Sequence, residues 1–548
     1  MALLTNFRND LQQLYRQSAF FVTDWSIWIC GCAIIVGYFI IRIRRARFSY
    51  LDLPQPPHNA VFGHLLAMGE VARSLPKDIS PHIMFTQLQH KYNLGSLFTV
   101  DLRPFAPDKT LVIADPILAK KVTQAPVLPK HPVNGTIISH VVGHKSLILS
   151  EGKEWQAIRS IFAPGFAPSK IIDLAGAIVD ETLVFCNILR QYAQTGETFR
   201  LWDAVINLTI DIIGQAILDV KLKSQTTENE FVVALRHLIL STPNFGSLNP
   251  FANLNLIRPV IHWYYGRKVD NYLSKVIDMR MKLVTETKTS KPVLDYALEE
   301  NGRNGRTIIP QHELNRVVLD NMRSFIFAGH DTTASTISYI YLMIERHPDV
   351  LRKVQHEHDQ VFSTDLSQTA QKIKETPTLL NQLPYTLAVI KEVLRLYPIG
   401  HPAKIVSDGY ELTHDGTKYT LKGSYMMMIA THTMGRSANL FADPDEFRPE
   451  RFLPGASDSI STDAWRPFER GPRNCIGQGL ALLEMKIVMV LTLREFNVRS
   501  AFIKQQCGTP DSLRTMNGDP AYQVQGIAAK PKDGLPSKVI ERVLPVHK

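Results

Sequence analysis

Cysteine is scarce in this chain: 548 residues hold five, at positions 30, 32, 186, 475 and 507, and no two form a C-x-x-C pair. That excludes a disulfide scaffold and argues against a zinc knuckle. Also missing are any repeat of fixed period, any low-complexity tract and any long linker, so solenoids, propellers and multi-module arrays are excluded. Neither sign of charge dominates, with 61 Lys and Arg against 51 Asp and Glu. The excess of +10 does not point to nucleic acid. Four of its residues, Arg42, Arg44, Arg45 and Arg47, follow directly on an apolar run, where they read as a membrane signal. A hydrophobic content of 45% and a charged content of 20% suit a large buried core and make disorder the wrong default.

One long hydrophobic run is present. From Ser18 to Ile41 the single acid is Asp24, and Trp25 to Ile41 (WSIWICGCAIIVGYFII) carries no charge. A hydrocarbon core of roughly 30 Å takes about 20 helical residues, so residues 18–41 are expected to form one transmembrane anchor helix. Residues 1–17 would then be a short luminal tail, and 42–58 a basic stop followed by a Pro-rich linker. Trp25 and Trp28 suit one interface, and RIRRAR at 42–47 holds the other end in the cytosol. A cleaved signal peptide would place its basic residues before a shorter apolar stretch. The tract Leu53-Pro54-Gln55-Pro56-Pro57 is stiff and poor in amide donors, as a spacer should be.

Residues 59–548 are expected to fold as one domain, mainly α with a minor β component. Apolar residues recur at three-and-four spacing over Ile171 to Tyr192, Leu201 to Asp219, Pro259 to Lys282, Gln311 to His347, Tyr385 to Leu396 and Gly479 to Phe496. Strand-like stretches are Leu97 to Asp101, Thr110 to Ala114, Ser424 to Ile429 and the region of Tyr522 to Ile527.

The segment richest in chemistry is Phe468-Glu469-Arg470-Gly471-Pro472-Arg473-Asn474-Cys475-Ile476-Gly477, which leads into a helix. A cysteine at a helix entrance meets unpaired amides and the positive end of the helix dipole, and both favour thiolate over thiol. Gly471 and Gly477 give the main chain freedom and remove bulk, so it can pass close to a flat ligand. Arg473 can bind a carboxylate with charge-assisted hydrogen bonds. Phe468 can screen the sulfur from water. A buried structural cysteine in a tight turn is the commoner fate of a free cysteine, but Phe, Gly, Arg, Cys and Gly at positions one, four, six, eight and ten are hard to obtain by accident.

This loop resembles the haem-binding loop of the cytochrome P450 family, and further motifs follow the family's order. The resemblance implies the P450 fold, haem b as cofactor and Cys475 as the axial ligand of its iron. Trp155 and Arg159, four apart in WQAIR, match the W-x-x-x-R that clamps a haem propionate. Phe325-Ile326-Phe327-Ala328-Gly329-His330-Asp331-Thr332-Thr333 matches the family's A-G-x-D-T-T, in which Asp331 and Thr332 would relay protons to bound dioxygen. In this reading Ala328 and Gly329 are small so that a ligand or the haem edge can approach. Glu392 and Arg395 in KEVLRLYP, with Arg451 in Pro449-Glu450-Arg451-Phe452, match a structural network beneath the haem. One departure stands out. Where many relatives place an arginine for a propionate, this chain offers only Lys404, in HPAKIV.

By the same resemblance the chain is expected to be a monooxygenase. It would insert one oxygen atom from O2 into an apolar small molecule in fungal secondary metabolism, at the endoplasmic reticulum membrane. NADPH-cytochrome P450 reductase would supply electrons, with cytochrome b5 as an optional donor. A basic face of Arg466, Arg470 and Arg473 is the expected docking surface. The rival readings are a P450-fold isomerase or dehydratase working without O2, and a haem-binding membrane protein without turnover.

Overall fold

The apolar spacing that predicts a helix from Gln311 to His347 produces one over Gln311–Arg346 in the computed structural model, which describes residues 28–41, 53–103, 106, 108–124, 128–243, 255–283, 291–301, 308–400, 403–456, 460–502 and 515–542. Pro310 stands just ahead of this helix and Pro348 opens the next, Pro348–Phe362. Both occupy places where an absent amide costs nothing. At 1.5 Å per residue the central helix is about 54 Å long. From Val317 to Ile344 every residue is buried except Ala328, Gly329 and Thr332.

Helices Val133–Val142, Leu201–Leu218, Arg258–Leu283, Pro384–Leu396 and Gln478–Thr492 pack around this axis. Leu201–Leu218 is long and apolar enough to cross a membrane, yet 72% of it is buried in protein. It lies between the central helix and Ala175–Thr195, and a helix apolar on every side belongs in a core. The contact with the central helix is tight at Gly329, where an added Cβ would fall 2.6 Å from Ile213 Cδ1. Gly329 therefore has a packing reason to be small besides the expected approach of a ligand. Its missing side chain is the socket for Ile213.

The strands flank this helical body. β1 (Leu97–Val100), β2 (Lys109–Ile113), β4 (Ala403–Val406) and β7 (Tyr425–Ile429) form one sheet in the order β1-β2-β7-β4, with β2 and β7 parallel. β3 (Phe199–Arg200), β8 (Phe496–Ser500) and β11 (Pro536–Glu541) form a second, in the order β3-β11-β8. β5 (Glu411–His414) pairs with β6 (Thr417–Thr420), and β9 (Gln523–Val524) with β10 (Lys530–Pro531). The helix expected to run from Gly479 to Phe496 stops at Thr492, because Phe496 and Val498 point inward at strand spacing and pair with β11.

Of the expected anchor, Trp28–Ile41 is an α-helix with no buried residue, and the other residues of 18–41 lie outside those described, as do the tail and the RIRRAR run. The described end of the proline tract is docked rather than free. Leu53 is buried in the core beside the first sheet, and the Pro54 carbonyl accepts from the Thr99 amide at 2.8 Å.

Candidate active site

The loop before helix Gln478–Thr492 is held closed by its own backbone. The Cys475 amide donates to the Phe468 carbonyl at 2.9 Å, and Phe468 packs beside Trp465 with ring centroids 6.1 Å apart. Gly471 has φ +83°, and a Cβ there would lie 2.6 Å from the Thr123 carbonyl, so the turn requires glycine twice over. Gly477 leaves a Cβ-sized space 4.0 Å from the Cys475 sulfur. The cysteine residue is accessible, yet the protein mass around it pushes its thiol up, while the Gly477 and Gln478 amides and the Arg159 charge pull it down. Access and enclosure together imply a hollow inside the fold beside this residue. The amides at the helix entrance favour a thiolate there.

Cations gather beside the loop. The Arg473 guanidinium lies 4.0 Å from the Trp155 ring centroid, donates to the Ser150 carbonyl at 2.9 Å and pairs with Glu151. Arg159 donates to the carbonyl and side-chain oxygen of Asn474, both at 3.1 Å, one residue from the cysteine. Lys404 is 4% exposed, and its ammonium makes no hydrogen bond or ion pair among the described residues. Burial and the Arg473 charge lower its pKa. Lys130 forms a β-bridge with Lys404, and burial, with Arg473 next, holds it down to about 7. Three cations crowded beside Glu151, with Glu469 also acting on Lys404, are a ready seat for a dianionic edge.

Opposite chemistry comes from the central helix. Ala328, Gly329 and Thr332, at i, i+1 and i+4, form the accessible stripe in its otherwise buried middle, Val317 to Ile344. Thr332 Oγ1 donates to the Ala328 carbonyl at 2.8 Å. Asp331 is 5% exposed, and burial raises its pKa to about 6 against the pull of Lys530 and the Ala528 amide. A buried acid poised near neutrality can hold and release a proton.

A cysteine flanked by helix-entrance amides, a cationic seat beside its loop and an acid with a hydroxyl on the central helix fit a haem with carboxylate arms. The Cytochrome P450 family model matches residues 53–524. The chain belongs to the cytochrome P450 family. It is 35% identical to cytochrome P450 monooxygenase acrF of Aspergillus aculeatus, over 86% of this chain and 99% of the relative. To cytochrome P450 monooxygenase polC of Polytolypa hystricis it is 32% identical, over 93% and 94%. The crystal structure of the cytochrome P450DA heme domain shares its fold at a TM-score of 0.70, with 20% identity, over 90% of this chain and 98% of that one. This P450 is thus an oxidoreductase of the monooxygenase type, and its family's cofactor is a haem whose iron takes a cysteine thiolate.

The buried network of this P450 is complete. Glu392 accepts from Arg395 Nε and Nη2, each at 2.7 Å, from Arg451 Nε at 3.1 Å and from the Arg448 amide at 2.8 Å. The expected docking face is not. Arg466 is 3% exposed and tied to Glu469 and Thr123, and Arg473 is turned inward to Glu151 and Trp155. Of the three arginines only Arg470 is left, and its Nε is buried too. Arg466 is neutralised within its own loop by Glu469, three positions on, and Arg473 by Glu151 and Trp155 from a distant segment, so the positive letters do not make a positive surface. Glu151 is not foreseen as a site residue, nor Lys130 as a neighbour of Lys404, because only the bridge to β4 brings them to Lys404 and Arg473.

Proposed function

We propose that this P450 inserts one oxygen atom from O2 into an apolar small molecule of fungal secondary metabolism, drawing electrons from NADPH-cytochrome P450 reductase, with cytochrome b5 as an optional donor, at the endoplasmic reticulum membrane. The observation that carries this reading is the pairing of an accessible, amide-flanked Cys475 with an acid and a hydroxyl on the central helix. In this reading 59–548 is a single catalytic domain behind the anchor at 18–41. The apolar side chains left bare on Trp28–Ile41, and at Leu256, Ile257, Val260, Trp263 and Tyr264, support a lipid setting.

Haem b would be held through its iron by Cys475 and at its carboxylate side by Arg473, Arg159, Trp155, Lys404 and Lys130. When bound it supplies the binding and reductive cleavage of dioxygen, which thiolate donation favours. Phe468 and Gly477 shape the surroundings of the sulfur and keep water from it. Asp331 holds a proton near the working pH. Thr332 parks its hydroxyl proton on the Ala328 carbonyl, and turning it toward a guest in the hollow exchanges one hydrogen bond for another, at a net cost of about 1 kcal/mol or less.

The test is NADPH- and reductase-dependent oxygen uptake by the purified protein, with Cys475→Ser beside it. The parent should show the red-shifted carbonyl band of thiolate-bound haem, and the variant should lose both the band and the uptake. Turnover with peroxide and no reductase would instead favour an isomerase or dehydratase, and no uptake with any substrate a non-catalytic haem protein.

A further inference from the structure

Asp331 does not face the accessible stripe. Thr332, its neighbour, lies on that stripe and is partly exposed, whereas Asp331 is buried about a quarter-turn away around the helix. On that side the central helix meets the hairpin of β9 and β10. Lys530, the first residue of β10, sets its ammonium 4.7 Å from the Trp202 ring centroid. The Trp202 indole N–H donates to Ser335 Oγ at 3.0 Å, and Ser335 lies one turn beyond Asp331 on the same face. Lys530 is therefore fixed by an aromatic seat that is itself bolted to the helix beside Asp331. The Ala528 amide, from the same hairpin, faces the Asp331 carboxylate. His330, next along the helix, is kept neutral by burial at about 4 and adds no competing charge.

We propose that Lys530, seated on Trp202, is a positioning residue for Asp331, drawing its carboxylate to the hairpin side and so setting when its proton is released toward Thr332. The inference rests on the reading of Asp331 as a proton donor. An ammonium at this place favours the ionised carboxylate, which turns away from the hollow, and protonation frees the carboxyl to leave. Lys530 is part-exposed, so its charge acts on Asp331 through a partly screened space. A cation on an aromatic face is held more firmly than one in open solvent, yet remains mobile on its long stem.

The experiment follows the carboxylic-acid C=O stretch of Asp331 by infrared difference titration of the full-length holoenzyme, the band being assigned by its loss in Asp331→Asn. Lys530→Met should move the midpoint up by roughly half a pH unit or more, the size expected for loss of one nearby, partly screened charge. Lys530→Arg should leave it near the parent value, and Lys530→Gln serves if the methionine variant does not fold. In turnover, the pH at which peroxide release overtakes product formation should move the same way with KM unchanged. A midpoint unmoved in both neutral variants overturns the proposal. If the midpoint moves but Asp331→Asn turns over like the parent, the charge effect of Lys530 stands and the role of Asp331 as donor falls.

Discussion

Replacing Glu392 by alanine should be among the most damaging single changes in this protein, although the residue has no role in the chemistry. Its carboxylate is fully buried and takes four hydrogen bonds, three from the guanidinium groups of Arg395 and Arg451 and one from the Arg448 amide. Alanine leaves two buried guanidinium groups facing each other without a counter-charge, a loss of about 3–5 kcal/mol. Five carbonyl groups limit the damage: Gly435, Pro444 and Glu446 still accept from Arg395, and Ala442 and Asp443 from Arg451. Glutamine keeps the shape and one acceptor without the charge, so about 2 kcal/mol is expected for it. The control is Glu154→Ala, which removes a pair with Lys145 whose side chains are 43% and 44% exposed, for under about 1 kcal/mol. Urea midpoints of the detergent-purified holoenzyme, read by Soret absorbance and by tryptophan fluorescence, give the comparison. A cost for Glu392→Ala within error of the Glu154→Ala cost would falsify the buried-network argument. The folded fraction of either variant should keep the thiolate carbonyl band.

Asp331→Asn should stabilise the protein at neutral pH. The folded carboxyl titrates near 6 and the ordinary one at 3.8, so the unfolded chain gives up its proton first as pH rises. The folded state then carries a penalty that grows between about pH 4 and 6 and is constant above, about 2–3 kcal/mol at most. The variant's urea midpoint should exceed the parent's at pH 7.5 and match it at pH 4, and a gain that persists at pH 4 would point to packing instead. Replacing Lys404 and Lys130 together by methionine should speed haem loss to a scavenging globin several-fold more than either change alone, since one remaining cation can still serve the same carboxylate. Equal rates for parent and double variant would remove both lysines from the site. Gly471→Ala should yield protein with little bound haem, because both φ +83° and the Thr123 carbonyl oppose a side chain; a normal ratio of Soret to protein absorbance would contradict this.

What could be read from the sequence was local. The cysteine loop is contiguous, its glycines answer to backbone conformation, and the central helix ends where Pro310 and Pro348 place it. Glu392 and Arg395 are a turn apart, and only Arg451 comes from elsewhere. What escaped depends on partners distant along the chain. Arg473 looks like surface charge until Glu151, from a distant segment, closes on it. Lys130 meets Lys404 through a bridge across 274 positions by their numbering, and nothing near either lysine announces the other. The misread end of helix Gln478–Thr492 has the same origin, since Phe496 becomes a strand residue only because β11 is there to receive it.

The socket at Gly329 binds two positions into one evolutionary unit. A methyl group at 329 has nowhere to go while Ile213 fills the space, so drift at either site is constrained by the other. Homologues with alanine at the place of Gly329 should carry a smaller residue at the place of Ile213, and in the laboratory Ile213→Ala should rescue a Gly329→Ala chain that is poorly folded by itself.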